Sequence, residues 1–103
     1  SLHDALPIYV MRRISEIPGL SCHAPAGTFY AFIDISQLGM PCEEFAMKLL
    51  EERQVVVVPG TAFGEFGEGY IRLSYATSMQ CLEQGLQELE EFVRSHKTEG
   101  DPT

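Results

Sequence analysis

The feature that most constrains this chain is a run of four valines, followed by a glycine-rich loop and an apolar segment that carries one arginine. It spans residues 55–76 and reads VVVVPGTAFGEFGEGYIRLSYA. The valines at 55–58 predict a buried strand, because β-branched side chains fit a pleated sheet. Pro59 and Gly60 end this strand, and the glycines that follow permit backbone angles that other residues resist.

The apolar segment at residues 70–75 predicts a second strand, in which successive side chains point to opposite faces. Ile71, Leu73 and Tyr75 share one face, while Arg72 lies on the other. An arginine in the middle of a strand, beside a glycine loop, needs a partner for its charge.

The rest of the chain supplies three helices and two more strands. Apolar side chains recur at helical spacing in residues 9–17, 42–53 and 78–96. The other strands are predicted at 20–24 and 28–35, joined by a turn at 25–27 into a hairpin. The order α-β-β-α-β-β-α is not a series of βαβ units. It predicts an α+β fold with a small mixed or mainly antiparallel sheet of three to four strands and helices packed on one face.

The length of 103 residues allows one domain. Residues 1–8 have no clear periodicity and are interpreted as a linker or a non-native segment. Residues 9–97 make up the domain, and residues 98–103 are expected to form a disordered tail.

Charge and cysteine content exclude several classes of partner. The 15 acidic and 7 basic residues give a net charge of −8, which argues against binding to nucleic acid or to an anionic membrane. No apolar run approaches the ~20 residues of a membrane-spanning helix. Cys22, Cys42 and Cys81 are odd in number and widely spaced, which predicts reduced thiols of a cytoplasmic protein and no metal site.

No catalytic constellation is found among the polar residues. Ser74 and Ser78 lack an arrangement with histidine and aspartate, and Asp34 and Glu65 are single carboxylates without an evident partner. The glycine loop carries acidic residues where a phosphate would need cations. We therefore predict no catalytic residue and no metal ligand.

Arg72 is the one candidate for binding. Its guanidinium stays charged and offers a planar set of donors that matches a carboxylate. Two alternatives follow from its position: an internal ion pair with Asp34 or Glu68, or a bond to the carboxylate of a ligand.

Three stretches of the sequence resemble the C-terminal end of class I/II aminotransferases. They are PAGTFYAFIDIS, then LLEERQVVVVPGTAFGEFGEGYIRLSYATS, then a leucine-striped helix. These aminotransferases are pyridoxal-phosphate (PLP) enzymes of fold type I, the aspartate-aminotransferase-like group. The resemblance covers roughly residues 9–96 and identifies the chain as a C-terminal, small-domain fragment of such an enzyme.

The resemblance implies a role for Arg72. In the family, the arginine of the I-R-L-S strand binds the α-carboxylate of the substrate, and Arg72 stands at that position. The intact enzyme would move an amino group between an amino acid and a 2-oxo acid. The loop at 59–69, with Phe63, would lie near the mouth of the active site.

The resemblance also implies what is missing. The family needs a lysine that forms a Schiff base with PLP, and this chain has only Lys48, on a predicted exposed helix face, and Lys97 near its end. The cofactor-binding residues belong to the family's large domain, so none is assigned here. The implied partners are that large domain and, in the intact enzyme, a second copy in a homodimer. The isolated fragment is expected to be inactive.

Two other functions remain open on the sequence. A C–S β-lyase of the same fold would keep the same arginine. A non-enzymatic α+β module that binds small carboxylates would also explain Arg72.

Overall fold

The computed structural model describes residues 2–22, 29–75 and 77–96. Within these residues the helices are Leu2–Ser15 (α1), Cys42–Arg53 (α2) and Met79–Ser95 (α3). The strands are Ser21–Cys22 (β1), Tyr30–Asp34 (β2), Val58–Pro59 (β3) and Tyr70–Ser74 (β4). Short 3-10 turns occupy Ser36–Leu38, Gly60–Phe63 and Glu65–Gly67. The predicted order α-β-β-α-β-β-α is confirmed.

The four strands form one antiparallel sheet in the order β1-β2-β4-β3. The central pair is β2 and β4. Two backbone hydrogen bonds extend their pairing beyond the strand ends, from the Ile35 N–H to the Gly69 carbonyl and from the Tyr75 N–H to the Phe29 carbonyl, each 2.8 Å. The antiparallel pairing predicted for the first two strands is confirmed, and the described strands pair antiparallel throughout.

One face of the sheet packs against the helices. The buried side chains of β2 and β4 on this face are Ala31, Ile33, Ile71 and Leu73. The helices contribute to the same core, among others, Val10, Ile14, Phe45, Leu49, Leu82, Leu86, Leu89 and Phe92. Phe45 of α2 meets Phe92 of α3 edge to face, with ring centroids 5.1 Å apart, so these two helices interlock over the sheet. The predicted α+β class is confirmed.

The helix ends have local causes. Helix α2 ends where Gln54 adopts a left-handed conformation with φ of 59°, and its N–H bonds to the Leu50 carbonyl at 3.0 Å. Helix α3 begins after Ser78, whose hydroxyl accepts a hydrogen bond from the Cys81 N–H at 3.1 Å. The predicted bounds of α2 agree with the structure.

The predicted buried strand over residues 55–58 is wrong for its first three residues. Strand β3 is limited to Val58–Pro59, and Val56 is 70% exposed while Val57 is buried. The segment lies at the edge of the sheet, where it pairs with β4. The β-branched valines favour an extended backbone, but this preference does not provide a second strand to bond to. Pro59, predicted to end the strand, belongs to it, which an edge strand tolerates.

The glycine-rich loop folds into two 3-10 turns. Gly64 and Gly69 have φ of 135° and 94°, angles that disfavour other residues, so the expected use of glycine is confirmed there. Gly60 and Gly67 bring their backbones into contact: a Cβ on Gly60 would lie 2.0 Å from the Gly67 carbonyl oxygen. The loop therefore closes on itself at its two ends.

Helix α1 begins at Leu2, before the start predicted at residue 9, and Leu6 packs against the core. The division into residues 1–8, 9–97 and 98–103 stays a prediction. The predicted turn at 25–27 and tail at 98–103 lie outside the described residues. Among the helices of the described part, none has the length and apolarity to cross a membrane.

Two glycines provide a matched test of this packing. A Cβ on Gly85, inside α3, would meet nothing within 4 Å. We expect Gly85→Ala to raise the free energy of unfolding by about 0.5–1 kcal/mol, because alanine loses less backbone entropy in a helix. Gly60→Ala is expected to lower it by about 1–3 kcal/mol, because the added methyl group meets backbone atoms that cannot rotate away.

Urea unfolding followed by circular dichroism measures both changes. A neutral effect of Gly60→Ala would contradict the close contact between the two ends of the loop. A loss of stability in Gly85→Ala would contradict the open surroundings of that position.

Candidate functional site

Arg72 lies in the middle of β4, on the face of the sheet opposite the core. Its partners across the neighbouring strands are Phe32 on β2 and Val58 on β3. Residues directly opposite in antiparallel strands share a face, and so do residues two apart along one strand. Phe32 and Tyr30 therefore lie on the same face as Arg72. They are 47% and 40% exposed, and Arg72 is half-buried.

Two aromatic rings contact the guanidinium of Arg72. Its Cζ atom lies 4.3 Å from the centre of the Tyr30 ring and 4.7 Å from the centre of the Phe63 ring. Phe63 ends the 3-10 turn Gly60–Phe63 and also meets Phe32 edge to face, with ring centroids 5.7 Å apart. Both distances from Cζ lie in the range of cation–π attraction. The rings hold the charged group without neutralising it.

Within the described part of the chain, Arg72 makes no ion pair and donates no hydrogen bond. Its Nε atom is buried and has no partner there, while its two terminal nitrogens are not buried. Of the two predicted internal partners, Asp34 accepts hydrogen bonds from the Ser36 N–H at 2.8 Å and the Ser36 hydroxyl at 2.6 Å. Glu68 points to the start of α2. The internal ion pair is therefore not formed in this structure.

Glu68 links the glycine loop to α2. Its Oε2 atom accepts hydrogen bonds from the N–H of Cys42, the first residue of α2, at 2.8 Å and from the N–H of Gly69 at 2.9 Å. A carboxylate at this position also meets the positive end of the helix dipole. The bonds from Cys42 and then Gly69 hold the pKa of Glu68 below its ordinary value of 4.5. Glu68 therefore caps the N-terminal end of α2.

A second link fastens the other side of the loop. The hydroxyl of Thr61 donates a hydrogen bond to Glu43 Oε1 at 2.9 Å, and the Cys42 thiol lies 3.7 Å from the same hydroxyl. Since Phe63 lies between Thr61 and Glu68 in sequence, its ring is carried by a loop that is anchored on both sides.

Residues 7–89 match the family model described as aminotransferase class I and II. The chain belongs to this family. The matched range includes Arg72, the glycine loop and the four described strands. The family resemblance of the sequence is confirmed.

Known aminotransferases are similar to this chain in sequence and in fold. An aspartate aminotransferase of Pyrococcus horikoshii is 46% identical over 88 residues, which are 85% of this chain and 22% of the relative. The crystal structure of an aromatic aminotransferase from Pyrococcus horikoshii OT3 superposes with a TM-score of 0.86 and 39% identity, over 92% of this chain and 25% of that one. A PLP-dependent aminotransferase from Streptococcus suis 89-1591 superposes with a TM-score of 0.83 and 33% identity, over 95% and 25%.

The chain spans about a fifth of the length of the curated relatives and about a quarter of the solved chains. The relatives are similar to the chain over most of its own length. They are named for different substrates, aspartate and aromatic amino acids among them, so similarity to them defines the family and leaves the substrate open.

Lys48, the one lysine within residues 2–22, 29–75 and 77–96, does not fit the role of a lysine bonded covalently to PLP. Lys48 Nζ lies 2.8 Å from Glu44 Oε2 on the outer face of α2. The hydrogen bond and charge of Glu44 raise the pKa of Lys48. A lysine nucleophile needs the opposite shift, toward the neutral amine. Lys97 lies outside the described residues. Since Lys48 does not fit, we assign no described residue to the cofactor.

Among the described residues, Ser78, Glu65 and Cys22 are not brought together into a site. Ser78 is used as the cap of α3, and Glu65 accepts no hydrogen bond from a described residue. Burial raises the pKa of the Cys22 thiol, which disfavours its reactive thiolate form. In residues 2–22, 29–75 and 77–96, no group of three or more His, Cys, Asp and Glu could hold a metal ion.

The sequence prediction named Arg72 but not the two ring contacts. One signal was present for Tyr30, because alternation along β2 and β4 places it on the face that carries Arg72. No such signal exists for Phe63. Its position depends on how the glycine loop folds over the sheet.

The cap formed by Glu68 predicts a pH-dependent contribution to stability. The pKa of Glu68 is lower in the folded than in the unfolded state, so its ionised form stabilises the fold above pH 4.5 and this contribution is lost as the pH falls through the folded-state pKa. We expect Glu68→Gln to melt at a lower temperature than the parent at neutral pH. The difference should disappear as the pH is lowered toward about 2.

Glu65→Gln is the matched control, since it removes a carboxylate from the same loop without removing a hydrogen bond to a described residue. Thermal unfolding across the pH range separates the two variants. Equal melting temperatures for both variants at neutral pH would refute the role of Glu68 as a cap.

Proposed function

We propose that this chain is the C-terminal, small-domain part of a PLP-dependent aminotransferase, and that Arg72 binds the α-carboxylate of the amino acid and 2-oxo acid substrates. The observation that carries the proposal is the state of Arg72: it is half-buried, has a buried Nε without a partner and forms no internal ion pair in the described part of the chain. Buried charges are ordinarily paired. A ligand carboxylate supplies the missing partner.

The geometry of a guanidinium suits this role. Its planar fork donates two parallel hydrogen bonds to the two oxygens of one carboxylate, which fixes both the distance and the orientation of the ligand. Arg72 breaks no bond in this proposal. It holds the substrate so that the bonds at Cα are correctly aimed, which is a contribution from orientation.

The chemistry at Cα belongs to the PLP cofactor and to residues outside this chain. The one described lysine does not fit the cofactor, so we place the lysine and the cofactor site in the large domain. We accordingly propose that the 103-residue chain alone is inactive. The intact enzyme is proposed to be a cytoplasmic homodimer, as the family resemblance implies.

The substrate class is limited to compounds that carry a carboxylate. A dicarboxylic and an aromatic amino acid both present the α-carboxylate that Arg72 would bind, so this contact is common to both. The C–S β-lyase alternative would use the same contact, and supplying a cysteine conjugate to the intact enzyme and assaying pyruvate and ammonia distinguishes it.

The direct test is Arg72→Lys in the intact enzyme. Lysine keeps the charge but loses the bidentate geometry, and a lost charged hydrogen bond costs about 1.5–3 kcal/mol. We therefore expect kcat/KM to fall by roughly 10- to 150-fold, mainly through a higher KM, as measured by steady-state kinetics.

Arg94→Lys is the matched control, because Arg94 is exposed and pairs with Glu90 at 2.9 Å on the outer side of α3. Its kinetics should equal those of the parent. Unchanged kinetics in Arg72→Lys would remove Arg72 from the substrate site. Tight binding of amino acids by the isolated chain would instead favour a stand-alone binding module.

A further inference from the structure

Arg72 differs from the other partly buried arginines in how its side chain is held. Arg53 pairs with Glu88 at 3.3 Å and Glu91 at 3.1 Å, and Arg13 lies 3.6 Å from Glu90. Arg72 has ring contacts in place of acidic partners within the described residues. Its position is therefore defined by side chains that leave its charge available.

The two rings come from different parts of the fold. Tyr30 lies on the central strand β2, and Phe63 lies on the glycine loop that Glu68 and Thr61 fasten to α2. Neither ring competes for the terminal nitrogens of Arg72, because a ring face attracts a cation without accepting a conventional hydrogen bond. The Nε atom of Arg72 is buried, and a less polar environment strengthens a charged hydrogen bond.

We propose that Tyr30 and Phe63 are positioning residues for carboxylate recognition: their rings hold the guanidinium of Arg72 in place before the ligand arrives, with its terminal nitrogens accessible. This inference rests on the proposed function, in which Arg72 receives the substrate carboxylate. A long arginine side chain without these contacts samples many rotamers, and binding then has to restrict them. With the rings in place, that restriction is already made.

The experiment measures binding of two probes that differ only in the carboxylate. Calorimetry on the intact protein compares 3-phenylpropanoate with 3-phenylpropan-1-ol. The variants Tyr30→Leu and Phe63→Leu remove a ring, Tyr30→Phe and Phe63→Tyr retain it, and Arg72→Lys tests the receptor itself. Phe66→Leu is the control, because Phe66 lies on the same loop, is 91% exposed and makes no ring contact with a described residue.

We expect each leucine variant to bind 3-phenylpropanoate about 2- to 30-fold more weakly, the range that corresponds to the loss of one cation–π contact. Binding of the alcohol should change much less, so the ratio of the two affinities falls. The ring-retaining variants and Phe66→Leu should keep the ratio of the parent. Thermal unfolding of each variant shows that it is folded, and Phe63→Leu provides the test if Tyr30→Leu does not fold.

Two results would overturn the inference. The leucine variants could leave carboxylate affinity unchanged, or they could weaken both probes equally, which would indicate a packing role alone. The Arg72→Lys variant separates this failure from that of the proposed function. If Arg72→Lys weakens carboxylate binding and the leucine variants do not, only the role of the rings is refuted. If Arg72→Lys has no effect, the assignment of Arg72 as the carboxylate receptor is refuted.

Discussion

The pairing of β2 with β4 determines which side chains of this domain face the core and which face solvent. Antiparallel pairing sets Ile71 opposite Ile33 and Leu73 opposite Ala31, and all four are buried under the helices. The intervening Arg72 then necessarily lies on the outer face. A shift of the register by one residue would turn the apolar side chains outward and bring the arginine into the core. The burial of the apolar side chains and the exposure of the arginine are therefore consequences of the same pairing.

The glycine loop makes use of this exposed face. It leaves the edge strand β3, closes on itself where Gly60 meets Gly67, and returns into β4 after Glu68 has capped α2. This path lays Phe63 against Arg72. The loop therefore has three roles. It caps a helix, connects two strands and places an aromatic ring at the guanidinium.

The periodic parts of the fold were predictable from sequence. Helical spacing located α2 between Cys42 and Arg53, and alternation located β2 and β4, because each of these elements has one apolar and one polar face. The valine run was predicted incorrectly at residues 55–57. Strand propensity is a property of one segment of the chain, whereas a strand also needs a neighbouring strand to bond to. Val58 lies at the edge of the sheet, where β4 is its neighbouring strand.

The site was only partly predictable for a related reason. The sequence singled out Arg72, since a charged residue within an apolar strand needs a partner. It could not choose between an internal carboxylate and a ligand, because the position of Glu68 depends on where α2 begins in space. The contact of Phe63 with Arg72 depends likewise on the path of the loop. Both are tertiary contacts without a period in the sequence.

We propose that the unpaired guanidinium of Arg72 receives a carboxylate from outside this domain. The most direct measurement is a crystal structure of the intact protein with a bound non-reactive carboxylate. We expect the two carboxylate oxygens at about 2.7–2.9 Å from the terminal nitrogens of Arg72, with Tyr30 and Phe63 still in contact with the guanidinium. An Arg72 paired with a protein carboxylate, or a ligand whose carboxylate is held by another residue, would contradict it.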